Sequence, residues 1–201
     1  MMSYAIVGFG KIGQALAQAF ARKNIKVAVA SRRPPEALAS QARAIGPTVI
    51  AKSLRDALEA DTIILAVPFW EHREVAKALP NWEGKTVIDA MNTFGVLPEE
   101  LDGLPSSAFV AKAFTGAKLV KGFNHLAAAT LAADPIVEGG HRVVFLSSDD
   151  EDTTAPVAAL AKQLGFAPVK LGKLDEGGAL VHARGRTWGH LIFQDLFKKE
   201  Q

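Results

Sequence analysis

Apolar and polar positions along the chain alternate between two rhythms. Tyr4 to Val7 is a short apolar run closed by Gly8, too short for a helix, and it reads as a buried strand. After the glycines, Ile12, Leu16, Ala19 and Phe20 recur at helical spacing, and Asn24 is a natural stop. Lys26 to Ala30 repeats the strand pattern, and Pro34 and Pro35 suit the first turn of a helix running to Ile45. The alternation continues with strand Thr48 to Ile50, helix Ser53 to Glu59, strand Thr62 to Val67, helix Arg73 to Leu79 and strand Thr86 to Asp89. Met91 to Pro105 reads as a long loop, Ser107 to Phe114 as a short helix and Lys118 to Phe123 as a strand. A strand at Arg142 to Ser147, a helix at Asp152 to Leu164, a strand at Ala167 to Val169 and a helical tail to Lys199 complete the order.

Strands alternating with helices at this spacing predict an α/β fold: a Rossmann-type, doubly wound, mostly parallel sheet with a short C-terminal αβ extension. Neither linker nor repeat interrupts it. The expected organisation is one domain over residues 1–201, with a dinucleotide-binding core in 1–140 and an extension of the same domain in 141–201.

Composition removes chemistries more than it adds them. The 201 residues contain no cysteine, which excludes disulfides, thiolate metal sites, iron–sulfur clusters and cysteine nucleophiles, and fits a reducing, cytoplasmic setting. Tyr4 is the single tyrosine, so a mid-chain tyrosine acid is excluded. The formal charge of +2, without a long basic run, lacks the footprint of a general nucleic-acid binder. The longest apolar stretches fall far short of the roughly 18 residues that span a bilayer. The start of the chain lacks the basic region of a secretory signal. The five histidines show no metal-binding spacing, no GxSxG elbow is present, and neither a catalytic side chain nor a metal site is expected.

Gly8-Phe9-Gly10-Lys11-Ile12-Gly13 matches GxGxxG between a strand and a helix, the context in which that pattern binds a dinucleotide. Gly8 allows the tight turn, Gly10 lets a pyrophosphate approach the backbone, and Gly13 lets helix and strand pack closely. The helix N-terminus then faces the anion. At the end of the second strand, where an NAD protein places an acid on the ribose 2′-hydroxyl, stand Ser31, Arg32 and Arg33, with no acid before Glu36. Hydroxyl and guanidinium groups suit a 2′-phosphate, so NADP is the expected cofactor; a solvated basic turn is the alternative. The other strand ends carry Val67, Pro68, Phe69 and Trp70, then Met91 and Asn92, then Phe123, Asn124 and His125. The aromatics there suit either cofactor contact or core, and the asparagines either ligand orientation or turn formation. In the tail, Arg184, Arg186 and Trp188 suit either an anionic second substrate or a surface loop.

GFGKIG, SRRPPE, AVPFWEHREVAKAL, VIDAMN, KGFNHL and the stretch VVFLSSDDEDTTAPVAALAKQLGFAPVKLGKLDEGGAL together resemble the coenzyme F420-dependent NADP oxidoreductase family over nearly the whole chain. The pattern is also similar to the cytoplasmic domain of the STEAP metalloreductases. The resemblance implies an NADP-dependent oxidoreductase in which hydride passes between the nicotinamide and a flavin-like or deazaflavin (F420) acceptor, with no side chain exchanging a proton. It places Phe9 to Ile12 at the pyrophosphate, Ser31 and Arg32 at the 2′-phosphate, Val67, Pro68 and Phe69 on the cofactor's far side, and Phe123 and Asn124 beside the nicotinamide. The chain departs from the family after GGAL, where ARGRTWGHLIF closes it quickly. A non-catalytic NADPH-binding regulator and a small-substrate NADP dehydrogenase are the alternatives; the latter ordinarily needs a helical C-terminal domain that this length does not allow. A homodimer is expected from the apolar helical face of Leu191, Ile192, Phe193, Leu196 and Phe197, although that face would equally pack on its own sheet.

Overall fold

In the computed structural model, which describes residues 2–181, the first apolar run forms β1 (Tyr4–Val7), its last three residues buried. It leads through the glycines into α1 (Lys11–Arg22), which buries Ala15, Leu16, Ala17, Ala19 and Phe20. Asn24, with φ of 54°, takes the left-handed conformation that ends a helix. β2 (Val27–Ala30) follows, and Pro35 opens α2 (Pro35–Ile45), its fixed φ and missing N–H costing nothing at a helix start. Next come β3 (Val49–Ala51), a four-residue α3 (Leu54–Ala57) capped by the Ser53 hydroxyl, and β4 (Thr62–Leu65). A 3-10 turn at Phe69–Glu71, preceded by Pro68 as its N-cap, runs directly into α4 (His72–Ala76), so this helical segment starts at Phe69 rather than at Arg73. β5 (Thr86–Asp89) matches its expected bounds, α5 spans Ser106–Ala113, and the intervening loop contains a 3-10 turn at Pro98–Leu101.

β6 spans Lys118–Gly122 and stops one residue early, because Phe123 adopts φ of 63° and leaves the ladder. Two elements beyond it were not expected. An alanine-rich helix, α6 (Ala128–Ala132), packs on α1, with Arg22 donating to the Ala132 carbonyl at 2.8 Å. A hairpin of β7 (Ile136–Val137) and β8 (Gly140–His141) turns through Glu138 and Gly139, both at positive φ as a tight hairpin requires. β9 (Val143–Ser147), α7 (Glu151–Gln163), β10 (Ala167–Lys170) and α8 (Gly177–Leu180) end the described chain. The expected helical tail to Lys199, the apolar face at 191–197 and the Arg184, Arg186 and Trp188 group lie outside the described residues.

Eight strands form one sheet in the order β10-β9-β6-β5-β4-β1-β2-β3. Six are parallel, while β9 runs antiparallel to β6 and is joined in parallel by β10. This is the Rossmann-type, mostly parallel arrangement. Alternation along the strands feeds two cores. Ile6, Ile64, Ile88 and Val120 pack under α1, α6 and α7 on one face, and Val7, Leu65, Val87 and Leu119 under α3, α4 and α5 on the other. From β1 the chain winds to β2 and β3 on one side and then returns to β4, β5 and β6 on the other. The switch of direction therefore falls between β1 and β4, where a doubly wound sheet opens its crevice.

Candidate functional site

The glycine turn occupies that switch point, and its three glycines face different constraints. Gly8 has φ of +102°, and a Cβ there would lie 2.3 Å from the Ala66 carbonyl oxygen. Only glycine lets the end of β1 pass so close to the end of β4. A Cβ on Gly13 would fall 1.8 Å from the Gly8 carbonyl oxygen, so glycine is what lets α1 sit against the turn. A Cβ on Gly10 would meet nothing within 4 Å. Gly10 is the N-cap of α1 and no side chain caps it, which leaves open space before the positive end of a twelve-residue helix. The Phe9 carbonyl accepts from Gln14 Nε2 at 3.0 Å, and the Phe9 side chain is buried.

A cleft of about 340 Å³ opens beside this turn. It brings together Gly8, Phe9, Ser31, Arg32, Arg33, Val67 and Pro68 from the ends of three adjacent strands, as expected from the sequence. Ser31 Oγ accepts from the Arg33 backbone N–H at 3.0 Å, which shapes the basic turn and leaves the hydroxyl proton to donate elsewhere. Two acidic residues that sequence reasoning did not select, Glu71 and Glu74, also line the cleft. Glu71 Oε1 pairs with Arg32 Nη2 at 3.0 Å. The 3-10 turn after Pro68 swings Glu71 toward β2, and nothing in the local pattern WEHRE signals that direction. Lys11 and Ile12 lie on the first turn of α1, and Gly13 is buried behind it. Phe69 is buried against the His72 ring, centroids 4.8 Å apart, so its side chain serves the core under α4.

The remaining site residues gather at the ends of β5 and β6. Asn92 Nδ2 donates to the Asn124 carbonyl at 2.7 Å, and Asn124 Nδ2 donates to Asn92 Oδ1 and to the Val181 carbonyl, both at 3.2 Å. Beneath them lies a buried ion pair that was not read from the sequence. Lys121 Nζ is 3.0 Å from Asp89 Oδ2 and donates to the Met91 carbonyl at 2.6 Å, while the Met91 N–H donates to Asp89 Oδ1 at 2.9 Å. Asp89 and Lys121 are 0% and 2% exposed. Phe123 is fully buried with its ring edge-on to Phe166, so its side chain belongs to the core. His125 is packed against Phe145, with its Nε2 3.2 Å from the Val143 carbonyl.

A larger depression, about 700 Å³, runs between α4 and α5 past Arg73, Lys77, Leu104 and Lys112 and shares no lining residue with the cleft. Among the described residues there is no cluster that could hold a metal ion, and no helix is long and apolar enough to cross a membrane.

Residues 3–93 match the family described as NADP oxidoreductase, coenzyme F420-dependent. The chain is similar to the rat metalloreductase STEAP3, 27% identical over 172 residues, 84% of this chain and 33% of that protein. It thus spans about a third of the length of the curated metalloreductases it matches. Among solved structures, a hypothetical protein, SMa0349, from Sinorhizobium meliloti is 41% identical, with 94% of each chain covered and a TM-score of 0.87. A protein from Arthrobacter sp. that is assigned by inference as an F420-dependent NADP-reductase is 26% identical over 87% of this chain and 86% of that one, with a TM-score of 0.71. A reductive aminase from Aspergillus terreus, solved with NADPH, shares the fold at 20% identity over 97% of this chain and 60% of that one, with a TM-score of 0.66.

Proposed function

Because residues 3–93 match the NADP oxidoreductase family described as coenzyme F420-dependent, we propose that the chain holds NADPH across the β1–β4 crevice and serves a flavin-like or deazaflavin acceptor. The observation that carries this reading is the cleft itself: the glycine turn and the Ser31-Arg32-Arg33 turn face one space, and β2 ends without a carboxylate. NADPH supplies a hydride, and the flavin-like acceptor takes it up.

The chain's own residues bind and orient. The open space before α1 at Gly10 fits the pyrophosphate, with the backbone from Gly8 to Gly13, Lys11 and Ile12 included, around it. Ser31, Arg32 and Arg33 would take the 2′-phosphate, and Val67, Pro68 and the backbone of Phe69 the opposite wall. Met91, Asn92, the Phe123 backbone and Asn124 would border the nicotinamide, at strand ends held by the buried Asp89–Lys121 pair. Protein dipoles and packing thus position the two reactants, and the proton bookkeeping is left to solvent. In this reading residues 1–201 act as one domain, and the acceptor pocket is completed in a cytoplasmic homodimer.

Turnover of NADPH with F420, FMN, FAD and riboflavin tests the reading, together with titration of Arg32→Glu. Oxidation of NADPH by one of these acceptors is expected, as is a loss of NADPH affinity in Arg32→Glu much larger than the loss for NADH. NADPH binding with no turnover on any of them would replace the enzyme by a regulator. Equal losses for both cofactors would remove the 2′-phosphate assignment.

A further inference from the structure

We propose that Glu71 tunes how strongly this chain prefers NADPH over NADH, by competing for the guanidinium that a 2′-phosphate requires. The inference rests on the cofactor placement above and adds a residue from a different strand end. Arg32 follows β2, and Glu71 sits in the turn after β4. Those strands flank β1, so the 3.0 Å pair bridges the crevice over the end of β1, beside Gly8 and next to Ser31 and Arg33.

The two partners are unequal. The Arg32 side chain is 82% exposed and the Glu71 side chain only 16%, with the Glu71 backbone anchored by its N–H donating to the Pro68 carbonyl at 2.9 Å. Glu71 is therefore the fixed member, and the arginine fork is the part that can be redirected. A 2′-phosphate must either take the guanidinium away from Glu71 or share it, which leaves a nearly dianionic phosphate beside a carboxylate. Both alternatives weaken binding of the phosphorylated dinucleotide. Neither affects NADH, which brings no charge to this turn. Glu71 thus moderates NADPH affinity and hastens release of the oxidised product without contributing to NADH binding.

The test is a double-mutant cycle on the full chain, with Glu71→Gln, Arg32→Ala and the double variant each titrated with NADPH and with NADH. Glu71→Gln is expected to tighten NADPH binding about fivefold, the size of an exposed ion pair's contribution, and to leave NADH within about twofold. Arg32→Ala is expected to weaken NADPH about tenfold or more, as loss of a charge-assisted bond does. Without Arg32 there is no guanidinium to compete for, so the gain from Glu71→Gln should differ by at least about twofold from the gain measured with Arg32 present. If Arg32→Ala separates the two cofactors but Glu71→Gln leaves NADPH unchanged, weakens it, tightens both alike, or acts equally without Arg32, the role of Glu71 is overturned and the cofactor placement stands. Equal losses for NADPH and NADH in Arg32→Ala would overturn the placement and the inference together.

Discussion

The Asp89–Lys121 pair supports the most quantitative prediction. The two residues are direct partners in register on β5 and β6, both are excluded from water, and between them they hold the backbone N–H and carbonyl of Met91. Asp89→Asn keeps the shape and an acceptor for Met91 but leaves the Lys121 ammonium buried without its counter-charge. Lys121→Met keeps the apolar stem and leaves the Asp89 carboxylate uncompensated. Breaking a buried pair from either side costs about 3–5 kcal/mol, whereas removing both charges together is often close to neutral. Each single variant is therefore expected to lower the urea midpoint by about 1 to 2 M at an ordinary m-value, and the double variant to recover at least about 2 kcal/mol of the summed loss. Unfolding followed by the fluorescence of Trp82, which is 2% exposed, provides the assay. NADPH affinity should fall in the single variants under conditions where they remain folded, since the pair sets the position of Met91, Asn92 and Asn124. Single costs below about 1 kcal/mol, or strictly additive losses, would refute the claim that these charges are sequestered and coupled.

Other expectations follow from the glycine turn and from a buried histidine. Gly13→Ala would place a Cβ 1.8 Å from the Gly8 carbonyl oxygen and should destabilise the fold by about 3 kcal/mol, the upper end of ordinary overpacking. Gly10→Ala meets nothing within 4 Å and should leave the melting temperature nearly unchanged while weakening NADPH; a matched loss of stability in both variants would contradict this division of labour. His72 is buried, its ring hydrogen-bonded to the Phe69 carbonyl, and burial holds its pKa below the usual histidine range. The unfolded chain therefore takes up the proton first on acidification. The stability that neutral His72 contributes is complete above the unfolded value of about 6.5 and is lost as the pH falls through the lower folded value. Its contribution to the slope is no more than about 1.4 kcal/mol per pH unit, and denaturation between about pH 5 and 7 should show a shallower slope in His72→Gln. Identical slopes would show that His72 is not the group responsible.

What could be read from the chain alone was whatever local sterics dictate. Gly8 and Gly13 are legible because each meets its constraint within a few residues of itself or at an adjoining strand, and β5 is legible because four buried residues in a row have no other period. α6 was missed because the stretch from Ala127 to Ala133, mostly alanine, has no polar face to give it a period, and only packing on α1 makes it a helix. The reversal of β9 is not legible in the chain, because the hairpin that precedes it turns through Glu138-Gly139, a pair that resembles any surface loop. Lys121 is hard to read from the chain for a more general reason. A lysine one residue from the end of a strand suggests an exposed edge, and an acid closing VID suggests a cap. Each becomes a partner only when β5 and β6 lie side by side in parallel, which brings the last residue of one opposite the fourth residue of the other. Glu71 belongs to the same class: its partner comes from a strand two places away in the sheet, so its charge acquires meaning only after the strand order is known. In a doubly wound sheet the side chains that touch a phosphate can be located from local motifs. The side chains that hold or oppose them are set by topology, and opposite charges at the ends of neighbouring strands are the signal to look for once that order is in hand.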